Sequence, residues 1–292
     1  MLRRRTAAAV ALSVTAGLGL AGLGAVTGHM SITRPPAEAA TRVVSVPVAG
    51  RPPTTGVPWF LTIGDSITFG YTMNPRLAGT NISWPGRLER MLAAEGRHWS
   101  LYDIACPGET TFSYATRCRS RGMVPFLAHQ SQRQAALRAV ATYGDDLRLI
   151  VVALGANDVL GVLHADPATI GAQLVARLGG ILNELRAAAP GVPVVLADVY
   201  DPFAAREPAS DTVLATIDDA VAALANRLHD GFADFRGAIN HPADGAALCS
   251  LIDCADHDIH PTVLGQERLA EAVLGVLPPG NGTGRQSPPG RN

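Results

Sequence analysis

Ser66 is the residue of this chain best placed by sequence to act as a nucleophile, since it closes Gly64-Asp65-Ser66 directly after the apolar run Trp59 to Ile63. A glycine before a polar turn lets the backbone bend and holds a serine hydroxyl at the carboxyl end of a strand, where open α/β sheets place their chemistry. Gly-Asp-Ser is also ordinary turn composition, so the tripeptide alone assigns nothing. Two further apolar runs end in comparable turns: Trp99 to Ile104 in Ala105-Cys106-Pro107-Gly108, and Leu147 to Leu154 in Gly155-Ala156-Asn157-Asp158. In a parallel sheet these ends share one edge. Acyl transfer needs an activated hydroxyl, a base and donors for the developing oxyanion. Ser66 offers its hydroxyl and its own N–H, Gly108 an N–H that no side chain obstructs, and Asn157 a side-chain amide. Taken singly, Gly108 reads as a plain turn and Asn157 as a helix cap.

The base is sought among eight histidines. His260 ranks first because Pro261 after it steers the backbone away from helical geometry into a fixed, extended loop. His241 and His257 are its rivals. His29 falls in the amino-terminal segment, and His98, His129, His164 and His229 fall within or beside expected elements.

Those turns have to be held by a scaffold, and the chain alternates strand and helix patterns throughout. Strands are expected over 59–63, 99–104, 147–154, 192–199 and 232–235. Helices are expected over 83–97 (capped by Ser83), 129–143, 170–189, 211–228 and 262–277. The run at 147–154 is almost continuously apolar, as a strand buried on both faces would be. Alternation of this kind predicts right-handed crossovers and a parallel, doubly wound sheet in a three-layer α/β/α sandwich.

At 292 residues with 47% hydrophobic composition, the chain has room for one large domain, expected over 57–277. Residues 1–39 read as an export signal: Arg3-Arg4-Arg5, an uncharged run from Thr6 to Thr27, then Ala37-Glu38-Ala39. The alternative is a retained anchor, the run being long enough to span a bilayer with tilt. Residues 40–56 read as an exposed leader and 278–292 as a disordered tail. The protein is thus expected to be secreted or at the cell surface, without stable membrane insertion once the signal is cleaved. All 24 basic residues are arginine, which excludes Schiff-base chemistry and the lysine-dependent phosphate loop. A net charge of −1 with scattered arginines lacks the footprint of a nucleic-acid binder. In an oxidising compartment the four cysteines suggest Cys106 with Cys118 and Cys249 with Cys254. The competing reading is zinc on Cys249, Cys254, His257 and His260, although that spacing is unusual for a structural site.

Four blocks in order, Gly64-Asp65-Ser66, Gly108 in Ala-Cys-Pro-Gly-Glu-Thr-Thr, Gly155-Ala156-Asn157-Asp158 and Asp258-Ile259-His260-Pro261-Thr262, together resemble the GDSL/SGNH hydrolase family. The block from Ala105, with Cys118 downstream, is similar to secreted actinobacterial members that carry disulfides. The resemblance implies a flavodoxin-like fold and serine-dependent hydrolysis of esters or thioesters. It also implies Ser66 as nucleophile, Gly108 and Asn157 as oxyanion donors, and His260 as general base. The chain departs from the family where an aspartate usually stands three residues before the histidine, a position held by His257. In an extended loop residues two apart point the same way, favouring Asp258; in a turn Asp256 comes near. A backbone carbonyl could instead orient the imidazole, leaving a Ser-His dyad. The reaction needs no metal or organic cofactor, and the expected partner of a monomeric enzyme is a small-molecule, lipid or glycan ester. Two other readings stand beside lipase or short-acyl esterase activity. One is an acetyl esterase on polysaccharide, with sugars stacked on some of Phe69, Tyr71, Trp84, Phe112, Tyr114 and Phe203; the other is a non-catalytic glycan-binding module on the same fold.

Overall fold

Five apolar runs form five parallel strands: β1 (Trp59–Gly64), β2 (Ser100–Asp103), β3 (Leu147–Ala153), β4 (Val194–Ala197) and β5 (Gly231–Ala233). The computed structural model describes residues 50–77, 81–160, 166–254 and 258–279, all within one compact unit. The sheet order is β2-β1-β3-β4-β5, the flavodoxin-like doubly wound arrangement. The chain reverses its direction across the sheet at β1, which opens a crevice between the carboxyl ends of β1 and β3. Ser66 follows the first of those strands and Asn157 the second.

Alternating side chains feed two cores. Trp59, Leu61 and Ile63 of β1 join one with α3 (Gln132–Tyr143), α5 (Pro167–Ala188) and α6 (Pro208–Leu228). Phe60 enters the other, with α2 (Trp84–Ala94), α7 (Phe235–Asn240), α8 (Leu248–Leu251) and α9 (Val263–Gly275). In β3 the pairing register shifts where Trp59 meets Leu147 and Phe60 meets Leu149. The extra residue, Arg148, lets Leu147 and Leu149 serve opposite cores.

The expected elements are all present, with corrections at their ends. The helix expected over 83–97 is α2, which stops at Ala94. Ser83 stands at its N-cap position but bonds Asn81 Oδ1 at 2.8 Å rather than a helix N–H. The Trp84 N–H is instead satisfied by Gln266 Oε1 of α9, at 2.8 Å. α3 starts later than expected because Ser131 and Gln134 form a capping box. The strand expected over 232–235 stops at Ala233, since Asp234 caps α7 through the Gly237 N–H and Phe235 becomes helical. The turns at Ser66 and Ala156 are short helices, α1 (Ser66–Phe69) and α4 (Ala156–Val159). Of the leader, Gly50 donates to Asp103 O at 2.8 Å and Pro53 is buried, while its other residues from Arg51 to Gly56 are exposed. The signal, residues 40–49 and residues 280–292 lie outside the described residues. Among the described residues no helix is long and apolar enough to cross a membrane.

All four cysteines are paired, Cys106 with Cys118 and Cys249 with Cys254. On the chain-entropy model, loops of these lengths contribute about 3 and about 2 kcal/mol. The zinc reading is overturned, because cysteines in disulfides supply no thiolate ligands.

Several carboxyls are buried in the fold. Burial, the largest influence, pushes Asp65 and Asp103 up to about 7. Asp198 moves upward through burial and then repulsion from Asp234, and Asp218 through burial and then repulsion from Asp198, opposed in part by Arg236 at 3.8 Å. The unfolded chain releases these protons near 3.9, so between that value and about 7 the native state binds more protons and stability falls as pH rises. Asp258 acts in the opposite sense in a lower window: its depressed value adds stability above the unfolded pKa, lost as pH falls below it. The melting temperature is therefore expected to be higher at about pH 5 than at about pH 8. Thermal scans across that interval check this, and a rise in place of a fall would mean that these carboxyls are ionised in the fold.

Candidate active site

The position of Ser66 is set by what surrounds the end of β1. A Cβ on Gly64 would lie 2.0 Å from Thr68 Oγ1, so glycine is needed for close approach of α1 to the strand it leaves. Its carbonyl accepts the Cys106 N–H at 3.0 Å and Gln132 Nε2 at 2.6 Å. Asp65 is buried and caps α1 by accepting the Ile67 N–H at 2.9 Å. Ser66 is the first residue of that turn, and its N–H donates to no acceptor among the described residues. Gly70, at φ 74°, ends α1 in the left-handed region.

His260 reaches Ser66 from the segment before α9. Its Nε2 lies 3.0 Å from Ser66 Oγ, and its Nδ1 lies 2.5 Å from Asp258 Oδ1. The same Asp258 oxygen accepts the His260 N–H at 3.2 Å, and Oδ2 accepts the Met73 N–H at 3.1 Å. Burial alone would raise Asp258. The His260 hydrogen bond and charge, with the two backbone N–H groups, outweigh it and hold this carboxyl below its ordinary value. The segment is tied down on both sides: Tyr200 donates its hydroxyl to Ile259 O at 2.8 Å, the Asp253 N–H donates to His260 O at 2.9 Å, and Tyr71 packs its ring 4.7 Å from the imidazole. Asp256 and His257 lie outside the described residues. The other rival, His241, faces Asp211 at 3.3 Å and Arg236 at 3.1 Å, not Ser66.

Gly108 sits at φ 80°, a left-handed conformation that suits glycine. An added Cβ would meet nothing within 4 Å, and its exposed N–H has no acceptor among the described residues. Asn157 is in α4. Its Nδ2 donates to Glu109 O at 2.9 Å and, more weakly, to Asp65 Oδ2 at 3.3 Å. The Gly108 loop, the Asn157 helix and the Ser66 turn are thus joined directly. Asp158 adds a second tie, accepting the N–H and hydroxyl of Thr111 at 2.8 and 2.6 Å and pairing with Arg177. Cys106, two residues before Gly108, is anchored to Cys118.

Sequence reasoning did not anticipate Gln132, Gln266 and Tyr200. Gln266 is buried on α9 and spans the site's scaffold, accepting from Trp84 N and donating to Ile67 O at 3.1 Å. These partners lie 182 and 199 positions away in sequence. No local pattern distinguishes such a glutamine from a surface one.

A hydroxyl, an imidazole and a carboxylate are thus bonded in series at the switch point of a doubly wound α/β sheet. The model of the GDSL-like lipase/acylhydrolase family matches residues 62–268, and the chain belongs to that family, whose members are esterase- and lipase-type hydrolases. Among solved structures, it is similar to TesA, at 23% identity over 75% of this chain and 98% of that one, with a TM-score of 0.52. It is also similar to an acetylxylan esterase from Geobacillus stearothermophilus, at 17% identity over 76% and 94% with a TM-score of 0.51. A lipase from a goat rumen metagenome matches at 16% identity over 75% and 97% with a TM-score of 0.55. At these identities the likenesses show the fold. No curated protein is a significant sequence match.

Proposed function

We propose that the protein is an exported carboxylic ester hydrolase working through a Ser66 acyl-enzyme. The observation that carries this reading is the unbroken series Ser66 Oγ, His260 Nε2, His260 Nδ1 and Asp258 Oδ1, at 3.0 and 2.5 Å. His260 Nε2 takes the hydroxyl proton as Oγ attacks the ester carbonyl carbon. The tetrahedral oxyanion is met by the N–H groups of Ser66 and Gly108 and by Asn157 Nδ2. One Asn157 hydrogen is committed to Glu109 O; the other, held by Asp65 at 3.3 Å, is the one available to the oxyanion. His260 then protonates the leaving alcohol, and water attacks the acyl-enzyme by the reverse transfer, freeing the acid and restoring Ser66. Asp258 keeps the Nδ1 proton in place and stabilises the imidazolium. Export is supported by the two disulfides, which persist in oxidising compartments.

Of the aromatics considered for sugar stacking, Phe69, Trp84 and Tyr114 are core residues, and Tyr71 is turned to His260. That weakens the polysaccharide reading. The test is to treat the exported protein with an alkyl fluorophosphonate and to follow nitrophenyl ester turnover in parallel. Stoichiometric loss of turnover with the adduct mapped to Ser66 is expected. Undiminished turnover, or an adduct on another residue, would refute the proposal.

A further inference from the structure

Six large apolar side chains are exposed among the described residues, and four of them, Met73, Phe112, Val263 and Leu264, stand on segments that carry the site. Val57 precedes β1 at the opposite, amino edge of the sheet, and Val276 follows α9. Phe112 is 76% exposed and Met73 51%. Neither owes its exposure to a loose backbone. Thr111, beside Phe112, is clamped by Asp158, and the N–H of Met73 is itself held by Asp258. Phe112 therefore stands on the loop of the oxyanion donors, four residues after Gly108, and Met73 stands beside the imidazole–carboxylate pair. An exposed phenyl ring on the Gly108 loop and an exposed thioether on the segment bonded to Asp258 are apolar surface that the fold leaves in water.

We infer that Phe112 and Met73 form the wall along which the apolar acyl chain of the ester lies, so that they set the enzyme's chain-length preference. This deepens the ester-hydrolase reading and rests on it. The ring supplies a flat apolar face and the thioether an adaptable one. Each methylene laid against them leaves water in the bound state and in the transition state alike, so the preference is read in kcat/KM. A sugar platform is the poorer fit, because of the six aromatics only Phe112 is exposed and the other exposed side chain beside the site, Met73, is an aliphatic thioether.

The experiment compares nitrophenyl octanoate, below and then above its micellar concentration, with nitrophenyl acetate on wild type, Phe112→Ser, Met73→Ser and the control Val57→Ser. Thermal melts verify that each variant is folded. The octanoate-to-acetate ratio of kcat/KM is expected to fall about tenfold in Phe112→Ser and several-fold in Met73→Ser, and to stay at the wild-type value in Val57→Ser. An unchanged ratio in Phe112→Ser, with Ser66-dependent turnover intact, overturns the inference and leaves the ester-hydrolase reading standing. Absence of turnover on any ester by wild type removes that reading and the inference with it. An octanoate preference that arises only above the micellar concentration and vanishes in Phe112→Ser assigns the rim to a lipid surface and overturns the acyl-wall assignment.

Discussion

Replacing Ser66 or His260 with alanine is expected to lower kcat toward a nitrophenyl ester by about six orders of magnitude, with the double variant no slower than either single one. The two side chains act as one unit. Without Oγ there is no atom to acylate, and without Nε2 the hydroxyl keeps its proton and stays a poor nucleophile. Either loss leaves only what binding and the oxyanion donors contribute, so the two losses do not add. Ser66→Ala removes one oxygen from a half-buried side chain whose hydrogen bond is to His260, and the turn is held by Asp65 and Gln266 in any case. His260→Ala leaves the Asp258 carboxylate with two backbone donors and no imidazole, so its melting temperature is measured beside its turnover. A well-folded His260→Ala enzyme within tenfold of wild type would sink the assignment of His260 as base.

Much of this arrangement was legible because it depends on local chemistry. Strand ends followed by glycine or polar turns mark where a sheet edge lies, and Pro261 marks an extended loop, so Ser66, Gly108, Asn157 and His260 could be named together as candidates, and the structure brings Ser66 and His260 into hydrogen-bond reach. The reason for Gly64 was not legible. The chain bends just after it, at Asp65, but Gly64 itself takes no left-handed backbone, and what excludes a side chain there is Thr68 packing back from α1. Ser83 failed as a cap for a similar reason. A serine before an apolar helix satisfies the local pattern, but its hydroxyl went to Asn81 and a buried glutamine from the last helix took its place. Gln132, Gln266 and Tyr200 hold the serine turn and the histidine loop together from distant parts of the chain, and pairing over that range leaves no trace in spacing. The orienting carboxylate was ambiguous because spacing along an irregular loop does not fix direction. Asp258 faces His260 with both oxygens engaged.

That geometry makes Asp258→Asn the sharpest test of how the imidazole is held, with an expected loss of about four orders of magnitude in kcat. The carboxylate accepts from Nδ1, so Nε2 is left unprotonated and free to take the Ser66 proton. An asparagine must satisfy Nδ1 and the backbone N–H groups of His260 and Met73 with a single oxygen. If its NH2 turns to the ring, Nδ1 becomes the acceptor, the proton moves to Nε2, and the base faces Ser66 in the wrong tautomer. The variant also removes the negative charge that stabilises the imidazolium in each proton transfer. Size and packing barely change, so a melting temperature close to wild type beside a large fall in kcat separates this effect from unfolding. Asp256→Asn, made in parallel, is expected to keep turnover within a few-fold of wild type. If Asp258→Asn also keeps kcat within about tenfold, the carboxylate is dispensable, and the enzyme is a Ser-His dyad whose ring is fixed by Tyr71 and the tied segment around it.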